Sequence, residues 1–446
     1  MRILMLMYNL RGKGTYWRAL YLARGLAKQG HEVTIVCTPL QRQGRFVTRQ
    51  DEQPDVTVIT TPNYLGGPFS SGWDPLTVAA RWLWSRRQDD YDIVHGFESR
   101  PTVIFPALYW QRRRGATMLL DWVDWFGKGG SVEERPNPVM RAVLRPFETF
   151  FEDHFRQYAD GVTEFSSFLH QRAVDLGVPP ERVIHISNGS NVEELYPILQ
   201  AEARAAVDLP PDVPIVGYIG AIFERDARLM AEAFNHIRRA EPDAQMLLIG
   251  YFNVAIEAWL EEPQAVIRTG RIPYTQINTY LNASDVCWLP LADSGANRGR
   301  IQLKLSDYMA AGRPVVMTDV GDGAGWVRQW EFGLLSPDEP FALAEQVVVL
   351  LDDPALRVAM GQRGRAIAEE RFRWDDIAVK LAEFYQQVLD DDNRLSRISP
   401  DKSRVSPLGV ILNVVEGSLS PPRRFLDYAR NDSSPPSGEI PESLII

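Results

Sequence analysis

Three cations and a carboxylate lie close together in one stretch of the chain, at Arg298, Arg300, Lys304 and Asp307. The arginines belong to a polar loop after the strand-like run 286–289, and Lys304 and Asp307 share one face of the helix predicted to follow. A loop that leaves the carboxyl end of a parallel strand and leads into a helix N-terminus is where α/β sheets bind anionic ligands. The spacing therefore favours a phosphate site. The alternative is a solvated loop, with Asp307 paired to Lys304 on the helix surface.

Two series of alternating strand-like and helical runs must position these residues. The first series begins with an apolar strand at 2–8 and ends at the turn 187–189, and the second begins at 215–220. Such alternation predicts parallel sheets with helices on both faces. The predicted fold class is therefore α/β, with two Rossmann-like domains.

We place the domain boundaries where the alternation of strand-like and helical runs stops. The predicted parts are an N-terminal domain at 1–190, a proline-containing linker at 191–213, a C-terminal domain at 214–372, a terminal helix at 373–390 that can pack back on the N-terminal domain, and a mostly disordered tail at 391–446. One apolar run in the tail, at 408–415, is interpreted as a docking segment.

Charge and cysteine content narrow the classes of function. The formal net charge of -10 gives no support for nucleic-acid binding. Cys37 and Cys287 lie inside apolar strand-like runs, which predicts buried free thiols in a reducing compartment rather than a disulfide. No two-thiol metal spacing occurs and the six histidines are scattered, so we expect no metal site.

Hydropathy predicts a soluble, cytoplasmic protein, because no run approaches the roughly 20 apolar residues that cross a bilayer. Peripheral contact with the inner face of a membrane stays open. Trp82, Trp84 and adjacent arginines in a predicted helix would suit a membrane interface. The alternative is an ordinary domain helix with a partly buried tryptophan edge. Nothing in the sequence indicates the oligomeric state.

A glycine-containing turn, Gly12-x-Gly14, follows the first strand. It is only a fragment of a dinucleotide-binding fingerprint, since no third glycine follows and no acidic residue closes the second strand. A nicotinamide cofactor is therefore disfavoured. The glycines still require close backbone approach, either to a ligand or to the neighbouring helix.

Four short motifs occur in the order and spacing of a known family. They are Gly30-His-Glu-Val33, Asp92-Ile-Val-His95, Ser187-Asn-Gly189 and Asp307-Tyr-Met-Ala-Ala-Gly-Arg-Pro-Val-Val316. Over residues 1 to about 390 the chain thus resembles the two-domain GT-B glycosyltransferases of family 4. The resemblance implies two Rossmann-like domains whose parallel sheets face an interdomain cleft. It also implies a nucleotide-sugar donor used without a cofactor, and retention of anomeric configuration. The implied acceptor is a glycan or lipid-linked hydroxyl, of envelope or exopolysaccharide type.

The donor residues that the resemblance implies are only partly present. Many members have two glutamates eight positions apart; Asp307 matches the ribose-binding one, and Gly299 stands in place of the sugar-binding one. An arginine and a lysine expected after the first strand of the second domain are replaced by Ala221 and Asp226, with Arg225 the nearest cation. We expect Gly220, at the end of that strand, to adjoin the donor.

The remaining site residues are assigned by their places at strand ends. Lys304 and Arg225, with Arg298 and Arg300, are the candidates for stabilising the departing diphosphate.

Asp121 and Asp124 follow a strand where either could orient or deprotonate an acceptor hydroxyl, or could cap the next loop. His95 and Trp122, with Gly12 and Gly14, complete the predicted acceptor side, although a strand-end hydrogen bond for His95 and core packing for Trp122 are the alternatives.

Two other functions stay open on the sequence. The loss of side chains at Gly299 and Ala221 and the acid at Asp226 would suit a family member that binds a sugar nucleotide without turnover. An epimerase on the same two-domain fold is the other alternative.

Overall fold

The computed structural model of the chain describes residues 1–135 and 137–398. The predicted tail and its docking segment lie outside the described residues from 399 onward. Residues 391–398, which we assigned to the tail, belong to a helix.

The first half of the chain forms an eight-stranded sheet. Its strands are β1 Arg2–Leu10, β2 Glu32–Thr38, β3 Val47–Gln50, β4 Val56–Thr60, β5 Ile93–Phe97, β6 Thr117–Trp122, β7 Gly161–Glu164 and β8 Val183–His185. The strand order is β3-β4-β2-β1-β5-β6-β7-β8, and all neighbours are parallel except β3 and β4. The antiparallel edge strand β3 was not predicted, because its sequence Val-Thr-Arg-Gln carries almost no apolar signal.

Helices cover both faces of this sheet. They are α1 Tyr16–Lys28, α2 Pro75–Ser85, α3 Pro101–Tyr109, α4 Pro138–Phe155 and α5 Ser167–Asp175. Helix α1 buries its apolar face, including Leu22, Ala23 and Leu26, against β1 and β2. This packing fixes the direction of the loop at 11–15, which leaves the carboxyl end of β1.

The second half forms a six-stranded parallel sheet. Its strands are β9 Ile215–Ile219, β10 Gln245–Ile249, β11 Val266–Gly270, β12 Val286–Leu289, β13 Val315–Thr318 and β14 Gly333–Ser336, in the order β11-β10-β9-β12-β13-β14. Its helices are α6 Gln200–Ala206, α7 Glu224–Ala240, α8 Ile277–Ala283, α9 Gly295–Arg298, α10 Leu303–Ala310, α11 Gly321–Trp330, α12 Pro340–Asp352 and α13 Pro354–Arg371. The chain thus contains two α/β sheets that are parallel apart from the edge strand β3, which confirms the predicted fold class with two Rossmann-like domains.

The stretch predicted as a linker contains helix α6. Arg204 of this helix pairs with Asp285 at 2.7 Å and donates to the carbonyl of Ala283, so α6 is attached to the second sheet. Helix α6 was not predicted, because its sequence has few apolar residues, shows no helical periodicity and is flanked by prolines.

A last helix, α14 Trp374–Ile398, returns to the first half. Lys28 and Asp375 form an ion pair at 2.8 Å, and a Cβ added to Gly25 of α1 would meet Ala378 at 2.5 Å. Tyr385 of α14 is fully buried in the same core as β1 and α1. The chain therefore crosses between the two halves twice, at 186–199 and near Phe372.

A candidate donor and acceptor cleft

The first turn of α10 lies at the carboxyl end of β9 and carries Lys304. The lysine Nζ donates to the Tyr218 hydroxyl at 2.5 Å and to the carbonyl of Ala221 at 3.2 Å. The side chain of the N-cap residue Gln302 makes no capping hydrogen bond. The first backbone amides of α10 are therefore directed at the carboxyl end of β9, where Lys304 lies. Burial, and then the nearby Arg300, hold the pKa of Lys304 well below its usual range. An anion bound here would favour the charged ammonium and meet the positive end of the helix.

Arg300 supplies the second cation of this region. Its guanidinium donates to Asn297 Oδ1 at 2.6 Å and lies 3.6 Å from Asp226 Oδ2, and it stacks 4.3 Å from the Phe223 ring centroid. Its Nε is buried and has no hydrogen-bond partner among the described residues. A buried donor without an acceptor is costly, so this atom is suited to a ligand oxygen.

Asp226 organises the loop that carries Arg300. This buried carboxylate accepts hydrogen bonds from Asn297 Nδ2 and from the amide of Ala292, both at 2.9 Å. Burial raises the pKa of Asp226, and Arg300 acts in the opposite direction. The position where the family places a lysine thus holds an acid that anchors an arginine, and sequence reasoning did not assign this role.

Asp307 lies one turn after Lys304 but does not pair with it in the part of the chain described. Its carboxylate accepts a hydrogen bond from the Ser190 hydroxyl at 2.9 Å, in the segment that joins the two halves. Burial raises its pKa to about 7, against the lowering effects of Ser190 and Lys304. The alternative of a surface ion pair with Lys304 is therefore not observed, and the carboxyl group binds Ser190 beside the crossover instead.

Aromatic rings from both halves meet next to Asp307. Trp17 of α1 stacks on Tyr274 of the second half with ring centroids 6.3 Å apart and planes 22° apart. Tyr21 of α1 stacks on Trp374 at 5.5 Å. These flat faces could hold a planar ring as well as pack on one another.

Gly299 is covered by the first half of the chain. A Cβ at this position would meet Trp125 Cβ at 3.3 Å, the carbonyl oxygen of Gly295 at 3.3 Å and Phe168 Cδ1 at 3.5 Å. Its carbonyl accepts a hydrogen bond from the Ser166 hydroxyl at 3.1 Å. The place of the family's sugar-binding glutamate is therefore an interdomain contact in this chain.

Trp125 lies at the contact between the two halves, where the sequence left open both stacking on an acceptor sugar and packing in the core. Added Cβ atoms at Gly129 and Gly295 would both meet its ring at 2.6 Å, and its indole nitrogen is buried without a partner among the described residues. In the sequence, only the glycines at 129, 130, 295 and 299 indicated that a large side chain is closely surrounded by backbone.

Asp124, which precedes Trp125, is the predicted acceptor residue that faces this cleft. Burial raises its pKa, while Arg300 of the second half and Arg100 lower it. Its backbone amide donates to Glu98 Oε1 at 3.1 Å, which fixes the loop. The carboxylate makes no hydrogen bond to another described residue.

Asp121 lies in the core instead. It forms a two-point ion pair with Arg18, at 2.9 and 3.0 Å, and accepts from the Thr163 hydroxyl at 2.5 Å. Arg18 also donates to the carbonyl of Ile186 and to Asn188 Oδ1. The carboxylate is thus saturated by partners that hold the crossover segment, which removes it from contact with an acceptor.

His95 and Trp122, both predicted on the acceptor side, are also in the core. His95 Nδ1 lies 2.6 Å from the Tyr385 hydroxyl, and burial lowers its pKa to about 4, which keeps the ring neutral. The Trp122 indole donates to Glu152 at 2.9 Å beneath the guanidinium of Arg156. Neither ring is exposed to the cleft.

The two other predicted cations have partners of their own. Arg298 forms a two-point ion pair with Asp293 at 2.6 and 2.7 Å on the outside of the loop. Arg225 pairs across the cleft with Glu134. Of the four predicted cations, the structure brings only Arg300 and Lys304 together.

The predicted glycines lie at strand ends on both sides of the cleft. Gly12, Gly14 and Gly220 have φ angles of +76°, +57° and +82°, which side chains rarely adopt. A Cβ on Gly220 would meet no atom within 4 Å, so open space lies above it.

Comparisons with known proteins place the chain in a family. A family model described as "Glycosyl transferase 4-like domain" matches residues 13–189, and one described as "Glycosyl transferases group 1" matches 213–353. Together they cover most of the chain.

A similar protein is the GDP-mannose-dependent monoacylated alpha-(1-6)-phosphatidylinositol monomannoside mannosyltransferase of Corynebacterium glutamicum, 24% identical over 45% of this chain and 55% of that protein. The first three curated relatives are matched over only 46% to 62% of their own length.

Two solved structures show the same fold. Sucrose-phosphate synthase from Thermosynechococcus elongatus has a TM-score of 0.68 at 21% identity, over 88% of this chain and 100% of that chain. Anabaena HepE, solved in complex with UDP-glucose, has a TM-score of 0.61 at 15% identity, over 87% of this chain and 100% of that chain. With the family models matching both halves and two parallel sheets facing one cleft, the chain belongs to the family 4-like, two-domain GT-B glycosyltransferases.

Proposed function

We propose that the chain transfers a sugar, with retention of configuration, from a nucleotide-sugar donor to a hydroxyl group of an acceptor. The observation that carries the proposal is the convergence of Lys304, Arg300 and the uncapped N-terminus of α10, with Asp307 one turn further on. A diphosphate fits the first three and a ribose fits the carboxyl group. The GDP-mannose and UDP-glucose named for the two similar proteins support a donor of this class.

In the proposed reaction, the bond from the anomeric carbon to the diphosphate oxygen breaks and a bond to the acceptor oxygen forms on the same face. The acceptor proton passes to the departing phosphate oxygen, and a nucleoside diphosphate leaves. Lys304, Arg300 and the α10 amides stabilise the negative charge that develops on that oxygen. Asp124 lies opposite Arg300 and positions the acceptor hydroxyl. No protein nucleophile, metal or cofactor takes part.

We further propose a glycan or lipid-linked acceptor and peripheral contact with a membrane. Helix α4 presents Val139, Met140, Val143 and Phe147 to solvent, with Arg141 beside them. An exposed apolar stripe with a basic neighbour suits a lipid surface. Trp82 and Trp84, the earlier candidates, instead pack on Tyr109 and Phe46. Among residues 1–135 and 137–398, no helix is long and apolar enough to span a bilayer.

Binding without turnover is the competing function, and the burial of Gly299 under Trp125 favours it. The side chain that contacts the sugar in many family members is absent here, and the space it would need is filled. Transfer of a sugar by the purified chain decides between the two.

The test measures nucleoside diphosphate binding (UDP, GDP, ADP and dTDP) and sugar transfer from the corresponding nucleotide sugars. We expect Lys304→Met to weaken binding about tenfold or more, because a charge-assisted contact contributes roughly 1.5–3 kcal/mol. Lys380→Met, which removes an exposed lysine from α14, is the matched control. Unchanged binding in both Lys304→Met and Asp307→Ala would contradict the proposed donor site. Tight nucleotide binding with no turnover of any donor would support binding without turnover instead.

A further inference from the structure

A group of positive charges borders the cleft on the acceptor side. Residues 1–50 contain nine lysines and arginines and one acidic residue, Glu32, in a chain whose net charge is -10. Four of these cations lie on loops at the carboxyl ends of β1 and β2. We define the basic rim as Arg11, Lys13, Arg42 and Arg45, all of which are exposed.

No acidic side chain among residues 1–135 and 137–398 forms an ion pair with the basic rim. The loops at 11–15, 39–46 and 61–73 contain no aspartate or glutamate. In the described part of the chain none of the four cations forms an ion pair, although Arg298, Arg225 and many other arginines do. Like charges collected on neighbouring loops repel one another, and a bound anion would offset that repulsion.

The topology brings the loops together. Strands β4, β2 and β1 are neighbours in the sheet, so their carboxyl-end loops lie side by side. Arg42 donates to the carbonyl of Leu65 at 2.8 Å and packs over Gly66, whose added Cβ would lie 2.8 Å from the Arg42 Nε. The loop after β2 is thereby tied to the loop after β4.

One loop of the rim, at 11–15, reaches the cleft. A Cβ on Gly12 would meet the Trp17 ring at 3.9 Å, and Trp17 itself stacks on Tyr274 of the other half. Asn9, at the end of β1, has a buried Oδ1 without a partner among the described residues. The loop at 11–15 therefore leads into the space between the halves.

Exposed apolar side chains lie among the cations. Leu40, Tyr64 and Leu65 are 59%, 47% and 37% exposed on the same loops. Apolar surface mixed with unpaired cations suits a ligand that has an anionic group next to an apolar portion. A neutral sugar acceptor would use neither feature.

We propose that the basic rim binds a phosphate group carried by the acceptor, so that the acceptor is an anionic, phosphate-bearing molecule. The identification of this ligand as the acceptor rests on the proposed transferase function; the phosphate binding itself does not. The phosphate belongs either to a lipid or to a water-soluble sugar phosphate, and the experiment separates these sources.

The primary experiment titrates the full chain with inorganic pyrophosphate by calorimetry at low salt. We expect Arg42→Gln/Arg45→Gln to weaken binding at the rim about tenfold, a loss of about 1.4 kcal/mol, because two cations that face the anion are removed. The control is Arg86→Gln/Arg87→Gln, which removes the same charge from the exposed end of α2, and we expect no change. Equal affinity in the two double variants would overturn the proposal.

Repeating the titration in Lys304→Met separates this inference from the proposed donor site. Binding that depends on Arg42 and Arg45 but not on Lys304 supports the rim and counts against the donor site. Binding that depends on Lys304 alone contradicts phosphate binding at the rim and supports the proposed donor site.

Two further ligands identify the source of the phosphate. One is a phosphatidylcholine vesicle with or without phosphatidylglycerol, and the other is glucose 1-phosphate. Loss of vesicle binding in the Arg42/Arg45 variant assigns the phosphate to a lipid, and loss of glucose 1-phosphate binding alone assigns it to a soluble acceptor. If neither ligand responds to the two substitutions, the proposal fails.

Discussion

Lys304 and Asp307 show how one helical face can hold two groups that do not pair. Their spacing permits an ion pair, yet Lys304 contacts Tyr218 and Ala221 while Asp307 binds Ser190. Each charged group is half-buried and lies close to the other in sequence without pairing with it. Their pKa values move in opposite directions, which is typical of groups prepared for a ligand. Burial is the largest cause of both shifts.

Asp307 predicts a pH dependence of donor binding. Its pKa of about 7 means that the carboxyl group is partly protonated near neutral pH. The ionised form offers two acceptor oxygens to the ribose hydroxyls, whereas protonation turns one of them into a donor. We therefore expect nucleoside diphosphate affinity to increase as pH rises from 6 to 8, and Asp307→Asn to flatten this dependence. Calorimetric titrations across that range measure it.

The same group affects stability with the opposite sign. The pKa of Asp307 in the folded state is raised above the ordinary 3.8. The contribution of this group to the free energy of unfolding is therefore fully present below pH 3.8 and is lost as pH rises through about 7. Asp307→Asn should remove this component from the free energy of unfolding measured between pH 4 and 8. An unchanged pH profile in the variant would show that Asp307 titrates normally.

The loop at 293–302 and the loop after β6 fit each other through small residues. Gly129, Gly295 and Gly299 surround the Trp125 ring, and Ser166 holds the Gly299 carbonyl. The φ of Gly299 is -82°, so the backbone itself would accept a side chain. What excludes one is the packing of the opposite half.

A glutamate restored at position 299 should therefore destabilise the protein. Gly299→Glu places a Cβ in tight contact with Trp125 and Gly295, and overpacking of this kind costs roughly 1–3 kcal/mol. Combining it with Trp125→Gly, which removes the Trp125 Cβ that the new side chain would meet, should recover part of the loss, as a double-mutant cycle of unfolding free energies would show. Gly325→Glu on α11, where an added Cβ meets nothing within 4 Å, is the matched control. Equal stability of the two glutamate variants would contradict the packing.

Across the whole molecule, polar contacts hold the two halves together around the cleft. Asp322 of α11 accepts from the Ser167 hydroxyl at 2.7 Å and from its amide at 2.5 Å. Arg225 pairs with Glu134, and Asn188 donates to the carbonyl of Ile301 at 3.0 Å. These contacts describe a closed arrangement that must open for ligands to exchange.

Asp322→Ala should favour the open arrangement. The substitution removes both hydrogen bonds to Ser167 and leaves the α5 N-terminus without that partner. We expect a larger radius of gyration by small-angle scattering and faster dissociation of a bound nucleoside diphosphate. The control is Asp319→Ala, which breaks an exposed ion pair with Arg328 inside one half. If both variants scatter as the wild type does, the contact does not hold the cleft closed.

Much of the donor side could be predicted from local sequence. Lys304 and Asp307 follow from helical spacing and a recognisable motif, and the structure places both at the cleft. Asp121 and Asp124 look equivalent in sequence, since both follow the apolar part of β6. Their neighbours in the fold distinguish them. Arg18 of α1 and Thr163 of β7 bind the Asp121 carboxylate, whereas Asp124 lies beyond the end of β6.

The sequence by itself determined the two series of alternating strands and helices and the helix that carries Lys304 and Asp307, because these depend on apolar periodicity and local turn chemistry. The tertiary structure alone decided that Arg300 faces the cleft while Arg298 pairs with Asp293, and that Trp125 covers Gly299. These outcomes depend on side chains that are distant in sequence. Burial and charge pairing act through space, so residues with the same local pattern acquire different roles once the two halves meet.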